Sequence, residues 1–171
     1  MEQLPEEELI ALCKKFDRSA QFELYRRYKD SLFTLAIRMG MEPADAEWAL
    51  QDGFIQIFKS ISSFNGDSGV YAWMRTILLR SISKTKKILI QPTDQLDCLA
   101  ETVGESLPDW DKEALQLAFE QLPPGYRTVL TLYYLEDMTH REIGAVLKIS
   151  EGTSKSQLYH AKQKLTTLLK V

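Results

Sequence analysis

Between Ala20 and Met39 the apolar residues Phe22, Tyr25, Leu32, Leu35, Ala36 and Met39 recur at the spacing of an amphipathic helix, with Glu23, Arg26, Arg27, Lys29 and Asp30 between them. Gly40 ends that helix, Pro43 suits the first turn of the next, and Asp45 and Glu47 suit its positive end. The second helix is expected to run to about Ile61. Ala46, Leu50, Phe54, Ile57, Phe58 and Ile61 line one side of it, while Trp48, Asp52, Ile55 and Lys59 line the other. Trp48 and Ile55 are therefore expected at the surface, either covering a neighbouring helix or forming half of a protein contact.

The turn formers of SSFNGDSG, Ser62 to Gly69, separate this helix from a third, VYAWMRTILLRSISKTKK. Tyr71, Met74, Leu78 and Ile82 make its apolar row. Arg75, Arg80, Lys84, Lys86 and Lys87 give it five positive charges, with no acidic residue between Ser68 and Thr93. Such a run is either a solvated face or a surface for phosphates. The sign then reverses: Asp94, Asp97, Glu101, Glu105, Asp109, Asp111 and Glu113 stand against the single base Lys112, among Pro92, Gly104 and Pro108. This reads as an acidic linker over residues 91–110, between a domain at 1–90 and another at 111–171.

Beyond the linker, Trp110 to Leu122 and Gly125 to Leu135 are apolar-periodic, and Pro123-Pro124 between them stops one helix and opens the next. HREIGAVLKISEGTSKSQLYHA then has the proportions of a helix-turn-helix. Thr139 caps the first helix with Glu142 three residues on, Ser150 caps the second, and Gly144 is small enough for a close crossing. With Leu158 and Leu165 inward, Thr153, Ser156, His160 and Gln163 turn outward, flanked by Lys155, Gln157, Tyr159 and Lys164. Lys and Gln suit base edges in a major groove, and hydroxyls at a helix start suit phosphate. From Arg141 to Lys170 six basic residues, Lys162 among them, face only Glu142 and Glu151. No segment alternates as a strand does, so the expected fold is all-α: two small helical domains, the second containing the helix-turn-helix.

Composition narrows the function. A 171-residue chain with 44% hydrophobic residues buries a full core, and a net charge of −3 argues against indiscriminate coating of nucleic acid. No apolar run reaches membrane-spanning length, and the acidic start MEQLPEEELI lacks a signal peptide's basic region, so a cytoplasmic protein without membrane insertion is expected. Cys13 and Cys98 are far apart and read as unremarkable thiols, while His140 and His160 belong to no zinc-like cluster. No catalytic constellation, metal site or cofactor motif is visible, which points away from an enzyme.

DAEWALQDGFIQIFKSISSFNGDSGVYAWMRTI resembles region two, and LPPGYRTVLTLYYLEDMTHREIGAVLKISEGTSKSQL resembles region four, of the extracytoplasmic-function (ECF) sigma factors, small initiation subunits of bacterial RNA polymerase. The resemblance implies that Asp45, Trp48, Gln51, Asp52 and Ile55 dock on core RNA polymerase. It implies that Phe64, Asn65, Gly66, Asp67 and Ser68 form a loop capturing an unstacked minus-ten base, while Trp73, Arg75, Arg80, Lys84 and Lys87 follow the opened strand. Arg141, Thr153, Lys155, Ser156, Gln157, Tyr159, His160, Lys162 and Lys164 would contact the minus-thirty-five duplex of the promoter DNA. An anti-sigma factor is a further expected partner. Arg80 departs from the family's usual asparagine, Lys148 from a turn glycine, and Gln157 and His160 from arginines, so weaker phosphate attraction is expected. Two other readings compete: an autonomous helix-turn-helix DNA-binding regulator, and a decayed sigma factor that only occupies an inhibitor.

Overall fold

The computed structural model describes residues 4–85 and 111–169. Every regular element among them is helical, and none of the helices is long and apolar enough to cross a membrane. The chain divides into two compact units, with the first four helices in one and the last four in the other. The acidic linker, Cys98 and Lys87 lie outside the described residues.

In the first unit, α1 (Glu6–Lys14) carries three acidic residues in its first turn and buries Leu9, Ile10 and Cys13. Its chain leaves through Phe16 at φ 62°, a left-handed residue that costs a non-glycine about 1 kcal/mol, before the Asp17 carboxylate caps α2 (Arg18–Arg38) by accepting from the Ala20 N–H at 2.8 Å. The buried stripe of α2 is Ala20, Leu24, Leu32, Leu35 and Ala36. Phe22, expected inward, is instead 66% exposed, because Leu24 falls on the stripe set by Ala20 and takes the inward place. Tyr28 donates to the Glu6 carboxylate and thereby ties α2 to α1; burial, then Glu6, pushes its hydroxyl up to about 12.

Helix α3 (Pro43–Ser60) begins with proline in its first turn and continues into a 3-10 turn, Ile61–Ser63. It packs along α4 (Val70–Thr85), burying Ala46, Ala49, Phe54 and Ile57 with Met74, Leu78, Leu79 and Ile82 in one core. Each of the larger side chains, Phe54, Ile57, Met74, Leu78, Leu79 and Ile82, contributes about 1.5–3 kcal/mol on leaving water. Tyr25 of α2 meets Phe54 edge-on at 4.8 Å.

In the second unit, Asp111 caps α5 (Lys112–Glu120) at the Ala114 N–H, 3.1 Å away. Pro124 opens α6 (Pro124–Leu130), and Arg127 closes the bend between them by donating to the carbonyls of Glu120 and Leu122 at 3.0 and 3.2 Å. A π turn, Thr131–Leu135, extends α6; it leads through Met138, which is buried, to α7 (His140–Leu147) and α8 (Glu151–Leu169). Helix α8 is the hub, packing on α5, α6 and α7 through Leu158, Ala161 and Leu165.

Candidate nucleic-acid interface

The outer face of α3 holds the first group of expected site residues. Asp45, Trp48, Asp52 and Ile55 recur at helical spacing on one stripe with Gln51 beside them. Trp48 is 56% exposed and Ile55 51% exposed, so neither serves to cover a neighbouring helix. Asp45 and Gln51 are exposed, and Asp52 is half-buried. Two large apolar side chains held in water and rimmed by polar ones are what a protein contact needs.

The second group begins where the 3-10 turn ends. Phe64 is buried, its ring tilted on Trp73 at 5.2 Å, and its carbonyl accepts from the Lys14 ammonium at 2.6 Å. From there Asn65, Gly66, Asp67 and Ser68 are exposed. The Asn65 side chain holds the bend by accepting from the Asp67 N–H at 3.2 Å and donating to the Asp67 carboxylate, and Gly66 adopts φ 84°. Half-buried Trp73 and exposed Arg80 and Lys84 then share one face of α4, seven and four residues apart. Arg75 lies around the helix from them, its guanidinium 5.9 Å over the Tyr71 ring, so the structure separates it from the charges with which it had been grouped.

The third group sits on the helix-turn-helix. The Thr139 hydroxyl accepts from the Glu142 N–H at 3.2 Å, and the Glu142 carboxylate accepts from the Thr139 N–H at 2.7 Å, a complete capping box. Lys148 turns the chain at φ 57°, ψ 43°. Ser150 caps α8 by accepting from the Thr153 N–H at 2.9 Å. Gly144 is needed for the turn as much as for a helix crossing: a Cβ there would lie 2.8 Å from the Ile149 carbonyl oxygen.

On α8, Lys155 and Tyr159 are exposed, and Thr153, Ser156 and His160 are half-buried. Lys155 pairs with Glu151 at 2.9 Å, which holds that carboxyl below its usual range. The Ser156 hydroxyl turns back to donate to the Thr153 carbonyl at 3.1 Å. Tyr159 is braced by Gln163, which donates to its hydroxyl at 2.7 Å, and by His160, which stacks in turn on Tyr126. The Lys162 ammonium lies 5.4 Å over the Tyr134 ring, while Lys164 and Arg141 are exposed.

Gln157 corrects the expected contact face: it is only 2% exposed, because it lies on the inward stripe with Ser154, Leu158, Ala161 and Leu165. Ser154 was missed altogether. It is fully buried, and its hydroxyl pairs with His140 Nδ1 at 2.9 Å, joining the two helices of the motif. His140 also stacks on Tyr133 at 4.6 Å; burial first, then Lys155, holds its imidazole below the usual value. A small polar residue in the first turn, four positions after the Ser150 cap, was the sequence signal available for it.

The family description Sigma-70 region 2 matches residues 24–88, and Sigma-70, region 4 matches residues 112–165. The ECF RNA polymerase sigma factor SigM of Bacillus subtilis is 30% identical over 152 residues, spanning 85% of this chain and 93% of SigM. The ECF RNA polymerase sigma-E factor of Escherichia coli is 27% identical over 181 positions, spanning 95% and 93% of the two chains. Among solved structures, CnrH in complex with the cytosolic domain of CnrY matches with TM-score 0.58 and 22% identity, over 95% of each chain. The sigma factor RpoE of Bartonella quintana, solved with the anti-sigma factor NepR, matches with TM-score 0.57 and 22% identity over 87% of this chain and 96% of that one. With regions two and four matched in order on its two helical units, and a relative of near-equal extent, the chain belongs to the ECF family of RNA polymerase sigma factors.

Proposed function

We propose that this sigma factor divides promoter recognition between its units as follows, with residues 1–90 acting as region two, 91–110 as linker and 111–171 as region four. The exposed stripe Asp45, Trp48, Asp52 and Ile55, with Gln51, docks on core RNA polymerase. Phe64 shapes the capture loop from beneath, while Asn65 to Ser68 meet the unstacked minus-ten base. Trp73, Arg80 and Lys84 follow the opened strand, an aromatic ring and two cations along one helix face being what stacking bases and a phosphate backbone require. On α8, Lys155, Tyr159 and the flanking Thr153, Ser156 and His160 meet the minus-thirty-five duplex, with Arg141, Lys162 and Lys164 near the phosphates. The chain works in the cytoplasm, and an anti-sigma factor is its regulator.

The observation that carries this reading is the shared face of Trp73, Arg80 and Lys84 directly after the loop. An autonomous duplex-binding regulator has no use for a single-strand track. The test is transcription from a promoter library by core polymerase with and without the purified chain, scoring start sites. New start sites that share upstream and downstream elements are expected; no polymerase binding and no initiation rejects the proposal.

A further inference from the structure

Helix α1 lies before residue 24, where the region-two match begins, yet it is tied to the proposed capture loop. It packs on the 3-10 turn Ile61–Ser63. At its last residue the half-buried Lys14 donates to the Phe64 carbonyl at 2.6 Å, across fifty residues of sequence. Phe64 is where the chain leaves the turn, at φ −68° and ψ 118°, and its ring is held by Trp73 at 5.2 Å. The first loop residue is thus gripped twice, by an ammonium on its backbone and an indole on its side chain. A bond with an ionised partner is stronger than a neutral one, so this grip restrains the start of the loop as the Asn65–Asp67 carboxylate bond restrains its bend.

We propose that Lys14 is a positioning residue for base capture: it fixes the start of the loop so that a displaced minus-ten base meets a surface already in place. This rests on the reading of Phe64 to Ser68 as the capture loop. A preformed loop has no ordering cost to meet at the moment of binding, so the benefit falls only on strands that offer a base to capture. A lysine that touched phosphate directly would instead favour any strand, and with a salt dependence.

The experiment uses the full chain bound to core polymerase and labelled minus-ten single strands, intact or abasic at each position in turn. Wild type is expected to prefer the intact strand at one position; if it prefers none, the capture reading fails and the proposal falls with it. Where wild type discriminates, Lys14→Met is expected to lower the intact-to-abasic affinity ratio about tenfold, and Lys14→Arg to restore it. The ratio cancels any loss of folded protein, so a destabilised variant does not imitate the effect. An unchanged ratio in Lys14→Met, or equal weakening on intact and abasic strands, overturns the positioning role.

Discussion

Two bends adjoin candidate DNA-contacting residues, and each contains one left-handed residue. In the loop after the 3-10 turn that residue is Gly66, at φ 84°, and a Cβ added there would meet nothing within 4 Å. In the bend of the helix-turn-helix it is Lys148, at φ 57°, while the glycine stands four residues earlier, where a Cβ would press on the Ile149 carbonyl. One glycine is used for its backbone freedom and the other for its missing side chain. A glycine near a turn therefore does not by itself say which residue turns the chain.

The largest expected effect tests this distinction directly. Gly144→Ala should destabilise the chain by about 2 kcal/mol, because rigid backbone must shift to make room, whereas Gly66→Ala should cost only about 1 kcal/mol, from φ alone. Urea unfolding of the full chain measures both, and equal costs would erase the difference between the bends. Next, Lys148→Gly should stabilise by up to about 1 kcal/mol, since the left-handed residue sheds its Cβ; no gain in urea midpoint would mean that the lysine stem repays its strain elsewhere. Ser150→Ala should cost about 1 kcal/mol by removing the cap on α8, seen as faster amide exchange in the first turn of that helix.

The smallest effect is one of pH. His140 is held below its ordinary pKa by burial and then by Lys155, so below about pH 6.5 the unfolded chain takes up a proton that the folded chain refuses. Stability from this group is therefore complete above that value and falls as the solution is acidified through it. Comparing wild type with His140→Gln between about pH 7.5 and about pH 5.5 isolates it; identical pH profiles would count against the buried pairing with Ser154. The first loop contains no histidine, so this sensitivity belongs to the second bend alone.

Much of this architecture was legible because it is punctuated. Pro43, Pro123-Pro124, Thr139 with Glu142, and Ser150 each mark a helix start by satisfying or removing an orphan N–H, and each stands at or beside an observed helix start. What periodicity could not supply was the choice among residues that suit two places. Phe22 looked like core and is exposed; Gln157 looked like a reader and is buried. A core-facing helical stripe spans about 100° or more, and whether a residue at its edge falls inside depends on the neighbouring helix, which local sequence does not encode. The exposed Trp48 and Ile55 were placed correctly as surface residues for the opposite reason: they lie opposite a full apolar stripe, with no edge to dispute. The residue assignments to polymerase and DNA rest on the family resemblance rather than on pattern.

The contact between Lys14 and Phe64 also has a consequence for how the molecule comes into being. A nine-residue helix is marginal alone in water, and α1 leaves the ribosome some fifty residues before the turn on which it packs. Leu9, Ile10 and Cys13 therefore emerge before that turn, with α2 on hand first through the Tyr28–Glu6 bond. The packing of α1 on the turn is thus a non-local contact, of the kind whose loop-closure cost slows folding more than the local pairing of neighbouring helices does.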